Sequence, residues 1–196
     1  MDPEKDWRTL GMIGAGRGTG VTHLSVWTAN YLTGVHRERT AVLEWNRHGD
    51  FAEMRRFCGA QLCGAGLKSC RILDAEYFPD AGSEELAFCM NEDYRRIIVD
   101  YGEISGENIL ECARCDRKVI VGALSEWQAE AFLEEVKRAA ERDRSWRYAA
   151  AFGSEETRKQ LEKTFRVSCL RIPASVDAFA VTRADMNFFT ELLKEK

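Results

Sequence analysis

A chain of 196 residues with 45% hydrophobic and 31% charged residues is long enough to bury a real core, and residues 1–196 are read as one compact domain. The net charge of −4 argues against a surface built for nucleic acid; the basic run from Lys137 to Arg147 is broken by Glu141 and Asp143 and reads as a solvated helix face. No apolar run approaches the roughly 20 residues that span a bilayer, the start Met1–Arg8 is polar and acidic, and a cytoplasmic protein with its seven cysteines reduced is expected.

In chain order, an apolar strand over Thr9–Ile13 runs into a glycine-rich loop, Gly14-Ala-Gly-Arg-Gly-Thr-Gly-Val-Thr22, and then into a helix over Thr22–Leu32. Such a loop presents successive backbone N–H groups and the helix behind it adds its positive end, which together make an anion cradle suited to phosphate. The pattern G-x-x-x-x-G-K-[ST] almost fits from Ala15 to Thr22, with Gly20 and Thr22 in place. Val21 stands where a lysine should reach the β- and γ-phosphates. A tight strand-to-helix turn that binds nothing is the competing reading of the loop. His23 is either within reach of a phosphate or base, or a plain polar residue of the first helical turn.

The pattern continues with a strand at Thr40–Glu44, a helix at Asp50–Cys58, a weaker strand at Arg71–Leu73 and a helix at Ser83–Asn91. A strand at Arg96–Asp100, a helix at Gly106–Cys115, a strand at Lys118–Gly122 and a helix at Glu126–Arg142 follow. Then come a strand at Tyr148–Phe152, a helix at Glu155–Phe165, a strand at Ser168–Ile172 and a last helix at Arg183–Lys194. Ile97-Ile-Val99 and Val119-Ile-Val121 are apolar without alternation, as strands covered on both faces are. Repeated β-α units of this kind predict a three-layer α/β/α sandwich on a mostly parallel, doubly wound sheet. Ligands of such sheets lie beyond the carboxyl ends of the strands, which singles out Gly14–Thr22, Glu44–Asp50, Asp100–Gly102 and Gly122–Ser125. Asp100 also fits the plain role of capping the turn after its strand.

Cys112-x-x-Cys115 has redox or metal spacing, and Cys58, Cys63 and Cys70 share a glycine-containing loop. Buried small cysteines are the reading preferred for both groups. The last helix is amphipathic, but its polar face carries as many acids as bases, so packing on the sheet is expected rather than membrane binding.

The four strand ends, in this order, resemble the MinD/ParA group of P-loop ATPases. The family loop, lysine-glycine-glycine-x-glycine-lysine-[Ser/Thr], corresponds to Gly16-Arg-Gly-Thr-Gly-Val-Thr22. Its acidic second-strand segment before Gly-Asp corresponds to Leu43-Glu-Trp-Asn-Arg-His-Gly-Asp-Phe51, and its apolar strand ending in Asp with Gly two positions on to Ile97-Ile-Val-Asp-Tyr-Gly102. Ala113-Arg-Cys-Asp-Arg-Lys-Val-Ile-Val121 matches the next strand. The resemblance implies a P-loop NTPase fold with ATP or ADP and Mg²⁺ at Gly16, Arg17, Gly18, Thr19, Gly20, Thr22, His23 and Asp100, with Thr22 and Asp100 serving the metal.

The departures bear on activity. Val21 replaces the P-loop lysine and Gly16 the group's signature lysine, while Trp45 and Asn46 stand where a water-positioning acid belongs. Phosphoryl transfer is mostly positioning and electrostatics, so weak or absent hydrolysis is expected. The function read here is a degenerate member acting as a localisation, assembly or regulatory partner, as TadZ/CpaE-like proteins do. Without the signature lysine, any homodimer is expected to be independent of nucleotide, through apolar residues such as Trp45, Phe51 or Trp127, each of which reads equally as core. Two alternatives stand beside this: an atypical ATPase whose missing charge comes from Arg17 or a partner, and a Rossmann-type dinucleotide enzyme built on Gly14-x-Gly16-x-Gly18 with Glu44.

Overall fold

The computed structural model describes residues 7–63 and 67–194. The acidic start up to residue 6 and the centre of the Cys58–Cys70 loop, with the Cys63 side chain, lie outside the described residues. The central strand β1 (Thr9–Gly14) is followed by α1 (Val21–His36), β2 (Thr40–Glu44) and α2 (Asp50–Phe57). An excursion of three short strands, β3 (Leu62–Cys63), β4 (Ser69–Ile72) and β5 (Ala75–Phe78), leads to α3 (Ser83–Asn91). The rest alternates: β6 (Arg96–Glu103), α4 (Asn108–Cys112), β7 (Arg117–Ala123), α5 (Ala129–Arg142), β8 (Arg147–Ala151), α6 (Glu155–Phe165) and β9 (Cys169–Arg171). A 3₁₀ turn at Arg183–Asp185 opens the last helix, α7 (Met186–Leu193).

The described strands form one sheet in the order β3-β4-β5-β2-β6-β1-β7-β8-β9. Every neighbouring pair from β5 to β9 is parallel; β4 runs against β5, and β3 against β4. The α/β fold on a mostly parallel sheet therefore forms as the periodicity predicts. β6 lies between β1 and β2, so the first two strands of the chain are not neighbours. A Rossmann sheet, ordered 3-2-1-4-5-6, pairs them directly. The dinucleotide-enzyme alternative fails on this topology.

Unbroken apolar strands are explained by the two cores they separate. Ile98, Val119 and Val121 face a core shared with Leu24, Trp27 and Tyr31 of α1 and Phe188, Phe189 and Leu192 of α7. Ile97, Val99 and Ile120 face the opposite core, with Cys112 of α4, Phe132 and Val136 of α5 and Leu161 of α6. Each successive residue thus needs an apolar side chain. The last helix is packed as expected, Trp27 making an edge contact with Phe189 at 4.9 Å between ring centroids. Two close approaches demand glycine: a β-carbon on Gly122 would run into the Phe132 ring, and one on Gly11 would lie 2.7 Å from Cys112 Sγ and 3.0 Å from Cys115 Sγ. The C-x-x-C pair is accordingly buried packing against the central strand.

The differences from the expected elements are local. The weak strand at Arg71–Leu73 is β4, one arm of a hairpin whose other arm, β5, carries no alternating signal. Its turn places Leu73 at φ 52, in a conformation that asparagine or glycine would have advertised. Helix α1 runs on to His36, whereas α4 is limited to Asn108–Cys112 and α5 starts at Ala129.

Candidate functional site

The loop after β1 folds back over its own first residue. A β-carbon on Gly14 would sit 2.5 Å from Thr19 Oγ1 and 2.8 Å from Val21 Cγ2. Ala15 N donates to Val121 O at 2.8 Å, and the Thr19 hydroxyl donates to Gly16 O at 3.1 Å, which closes the turn. Gly18 and Gly20 have φ of 73° and 87°, a region costly for other residues. On the other side the loop is open: β-carbons on Gly16, Gly18 and Gly20 would meet nothing within 4 Å. Helix α1 begins at Val21 with no side-chain cap and no acid in its first turn. Its leading N–H groups are left for an anion.

This concavity is a cavity of about 540 Å³, walled by Gly16–Thr22, Arg47, His48, Asp50, Gly102 and Glu103. Thr22 Oγ1 lies 3.4 Å from Asp50 Oδ2. Asp100 lies beneath, wholly buried; its Oδ1 accepts from Gly102 N at 2.9 Å, and Oδ2 has no partner among the described residues. Burial pushes its carboxyl up to about 6, opposed by the Gly102 N–H and the nearby Thr22 hydroxyl and with a further push from Glu44 and Asp50. Two carboxylates, one with an unpaired oxygen, and a hydroxyl are oxygen donors of the kind that hold Mg²⁺ alongside water and phosphate. Of these, Thr22 and Asp50 line the cavity and Asp100 is wholly buried, and no three His, Cys, Asp or Glu side chains cluster as a metal site among the described residues.

A second cavity, of about 520 Å³, opens on the far side of Gly18–Gly20. Leu24, Phe152, Ile172, Pro173 and Val176 make its walls mainly apolar. His23 belongs to it and is absent from the first cavity; its Nε2 is buried without a partner, and burial lowers its pKa despite Asp177 nearby. Nothing in the sequence pattern marks these walls, because they come from the ends of β8 and β9, well over a hundred residues after the loop.

No family model matches the sequence, and no curated protein matches it. Solved structures do match. A ParA family ATPase from Chlorobium tepidum TLS has a TM-score of 0.62 at 16% identity, over 88% of this chain and 87% of that one. A chain of the MinC:MinD cell division protein complex of Aquifex aeolicus has a TM-score of 0.62 at 12% identity, over 96% and 87%. A plasmid partition protein from Borrelia burgdorferi B31, bound to AMPPNP, has a TM-score of 0.63 at 10% identity, over 96% and 97%. The fold is that of the MinD/ParA P-loop ATPases.

Against that fold, the chain's departures acquire positions. Val21, only 6% exposed, joins the core beneath α1 while touching the cavity. Arg17 is exposed on the cavity wall, and its carbonyl accepts from Gln128 Nε2 at 3.4 Å. Glu44 is spent on structure: buried, it accepts from Phe51 N at 3.2 Å and Asp80 N at 3.3 Å, and burial raises its pKa. Asn46 is equally engaged, donating to Asp100 O at 3.1 Å and accepting from His48 N at 3.0 Å. Of the aromatics expected at an interface, Phe51 is in the core and Trp45 is partly buried against Tyr101, their ring centroids 5.6 Å apart. Phe51 thus takes the core alternative, while half-buried Trp45 borders a surface cavity and Trp127, 82% exposed next to Gln128, is open. No helix among the described residues is long and apolar enough to cross a membrane.

Proposed function

We propose that this chain is a single-domain, cytoplasmic nucleotide-binding protein of MinD/ParA type with weak or no ATP hydrolysis. It acts as a localisation, assembly or regulatory partner, as TadZ/CpaE-like proteins do. One observation carries the reading: the loop's concave side is open to a ligand, while Val21, which the resemblance aligns with the family lysine, belongs to the core. The N–H groups of Gly16–Thr22 would hold phosphate oxygens, and Arg17 would add charge at the rim. Thr22, Asp50 and Asp100 would hold Mg²⁺, which when bound neutralises phosphate oxygens. His23, with the walls around Phe152, would take the base. The AMPPNP of the Borrelia protein and the partnership in the MinC:MinD complex support a nucleotide and a protein partner here.

The missing lysine charge and the engaged Asn46 remove what speeds phosphoryl transfer while leaving backbone binding intact. Calorimetric titration with ATP, ADP and NAD in the presence of Mg²⁺ tests the reading: ATP and ADP should bind and NAD should not. A second reading, an atypical ATPase, draws on Arg17 and Arg47 both lining the cavity. Multiple turnover abolished by Thr22→Ala would favour it.

A further inference from the structure

Phe152 directly follows β8 in an unfavourable state on two counts. Its side chain is 63% exposed although wholly apolar, and its φ of 53° lies in the left-handed region that aromatic residues rarely adopt. Gly153 follows at φ 73°, and a β-carbon there would strike the Leu124 carbonyl, so the corner is pressed against β7's end. Arg171 of β9 fastens it: its Nη1 donates to Phe152 O at 2.6 Å and to Gly153 O at 2.7 Å. A strained corner held by two charge-assisted bonds presents one aromatic ring at the mouth of the second cavity.

The hydroxyl groups of Thr19 and Ser175 and Nη1 of Arg171 around that cavity are already engaged. The Thr19 hydroxyl donates to Gly16 O, the Ser175 hydroxyl donates to Asp177 O at 3.1 Å, and Arg171 Nη1 is held as above. His23 Nε2 is shut away from solvent. What the walls offer a flat ring is faces: Phe152, Ile172, Pro173 and Val176.

The geometry points to Phe152 as the specificity-determining residue of the base site, holding a nucleotide's base by stacking, so that adenine and guanine are accepted alike. This rests on the nucleotide-binding reading above and adds to it the manner of base selection. Aromatic faces stack on any purine, whereas discrimination between purines needs hydrogen-bond readers.

Equilibrium titrations of the full chain with Mg²⁺ and ADP, GDP or inorganic tripolyphosphate decide it. ADP and GDP should bind within roughly threefold of each other, and both more tightly than tripolyphosphate, which has no ring. Phe152→Ala should weaken ADP and GDP by roughly 5- to 100-fold and leave tripolyphosphate unchanged. Phe152→Trp should restore the loss. A preference of about tenfold or more for one purine, or an Ala variant that binds ADP as wild type does, overturns the inference alone. If tripolyphosphate, ADP and GDP all fail to bind the wild type, the nucleotide-binding reading itself falls, and this inference with it.

Discussion

Replacing Val21 by lysine separates what the glycine loop does for the fold from what it does for a ligand. Val21 is 6% exposed and packs in the core beneath α1, so losing its branched side chain removes burial of about 1.5 kcal/mol. A lysine stem leaving along the cavity wall keeps part of that contact, because the residue also borders the cavity. The variant should therefore unfold at slightly lower urea concentration, by about 1 kcal/mol, and remain folded. Its ammonium would face the phosphates that the open loop can hold, adding one charge-assisted contact of about 1.5–3 kcal/mol. Calorimetry should then show ATP–Mg²⁺ binding about 10- to 150-fold tighter than in wild type. Val21→Met, similar in bulk but uncharged, should show the small stability change and no gain in affinity. A folded Val21→Lys protein with unchanged ATP affinity would refute the reasoning, since the loop's open side could then not be where phosphate lies.

The isolated protein should release no phosphate from ATP above background in a coupled assay; multiple turnover abolished by Thr22→Ala would refute this. Thr22→Ala should weaken the Mg²⁺-dependent part of ADP binding by about tenfold while leaving Mg²⁺-free binding unchanged, as titrations with and without chelator will show. Asp100, whose buried carboxyl titrates at about 6, holds its proton more tightly folded than unfolded, so it should make stability fall as pH rises from about 4 to about 6 and then level off. Asp100→Asn, which can still accept from Gly102 N, should flatten that window and raise stability at neutral pH by up to roughly 3 kcal/mol; a variant–wild-type difference constant across pH in urea denaturation would count against it. Light scattering should give one oligomeric state with and without ATP–Mg²⁺, and a monomer that pairs only on adding ATP would contradict the role assigned to Gly16.

What could be read from the sequence is what a local pattern can carry. Thr9–Gly14 and its glycine loop were legible because burial on both faces forces continuous apolar residues and because φ values of 73° and 87° require glycine at Gly18 and Gly20. The β4–β5 hairpin was not legible, since a Leu73 turn at positive φ is held by tertiary context and advertises nothing. The same holds for the second cavity. Phe152 and Pro173 mean nothing until β8 and β9 pair and Arg171 reaches the Phe152 carbonyl. Trp45, Phe51 and Trp127 read equally as interface or core from their type; only packing against Tyr101 and Tyr77 separates the first two from Trp127.

Charge balance links the degenerate loop to the rest of the site. Asp50 and Glu103 border the cavity and Asp100 is buried beside it, while Val21 and Gly16 on the wall carry no charge. A phosphate chain brought into that setting meets carboxylates, and two surface arginines, Arg17 and Arg47, are the cations on the wall. In a lysine-bearing loop the ammonium offsets both the phosphate and the acids. On the proposed reading that task would pass to a divalent ion, held by the same acids that would otherwise repel the ligand. Burial, with a smaller push from Glu44 and Asp50, raises the Asp100 carboxyl, so a neighbouring cation would favour its ionised form. On that reading, a loop with Val21 where a lysine would stand would therefore depend on a divalent ion near Thr22 and Asp50 to hold phosphate, and would lack the fixed charge that catalysis uses.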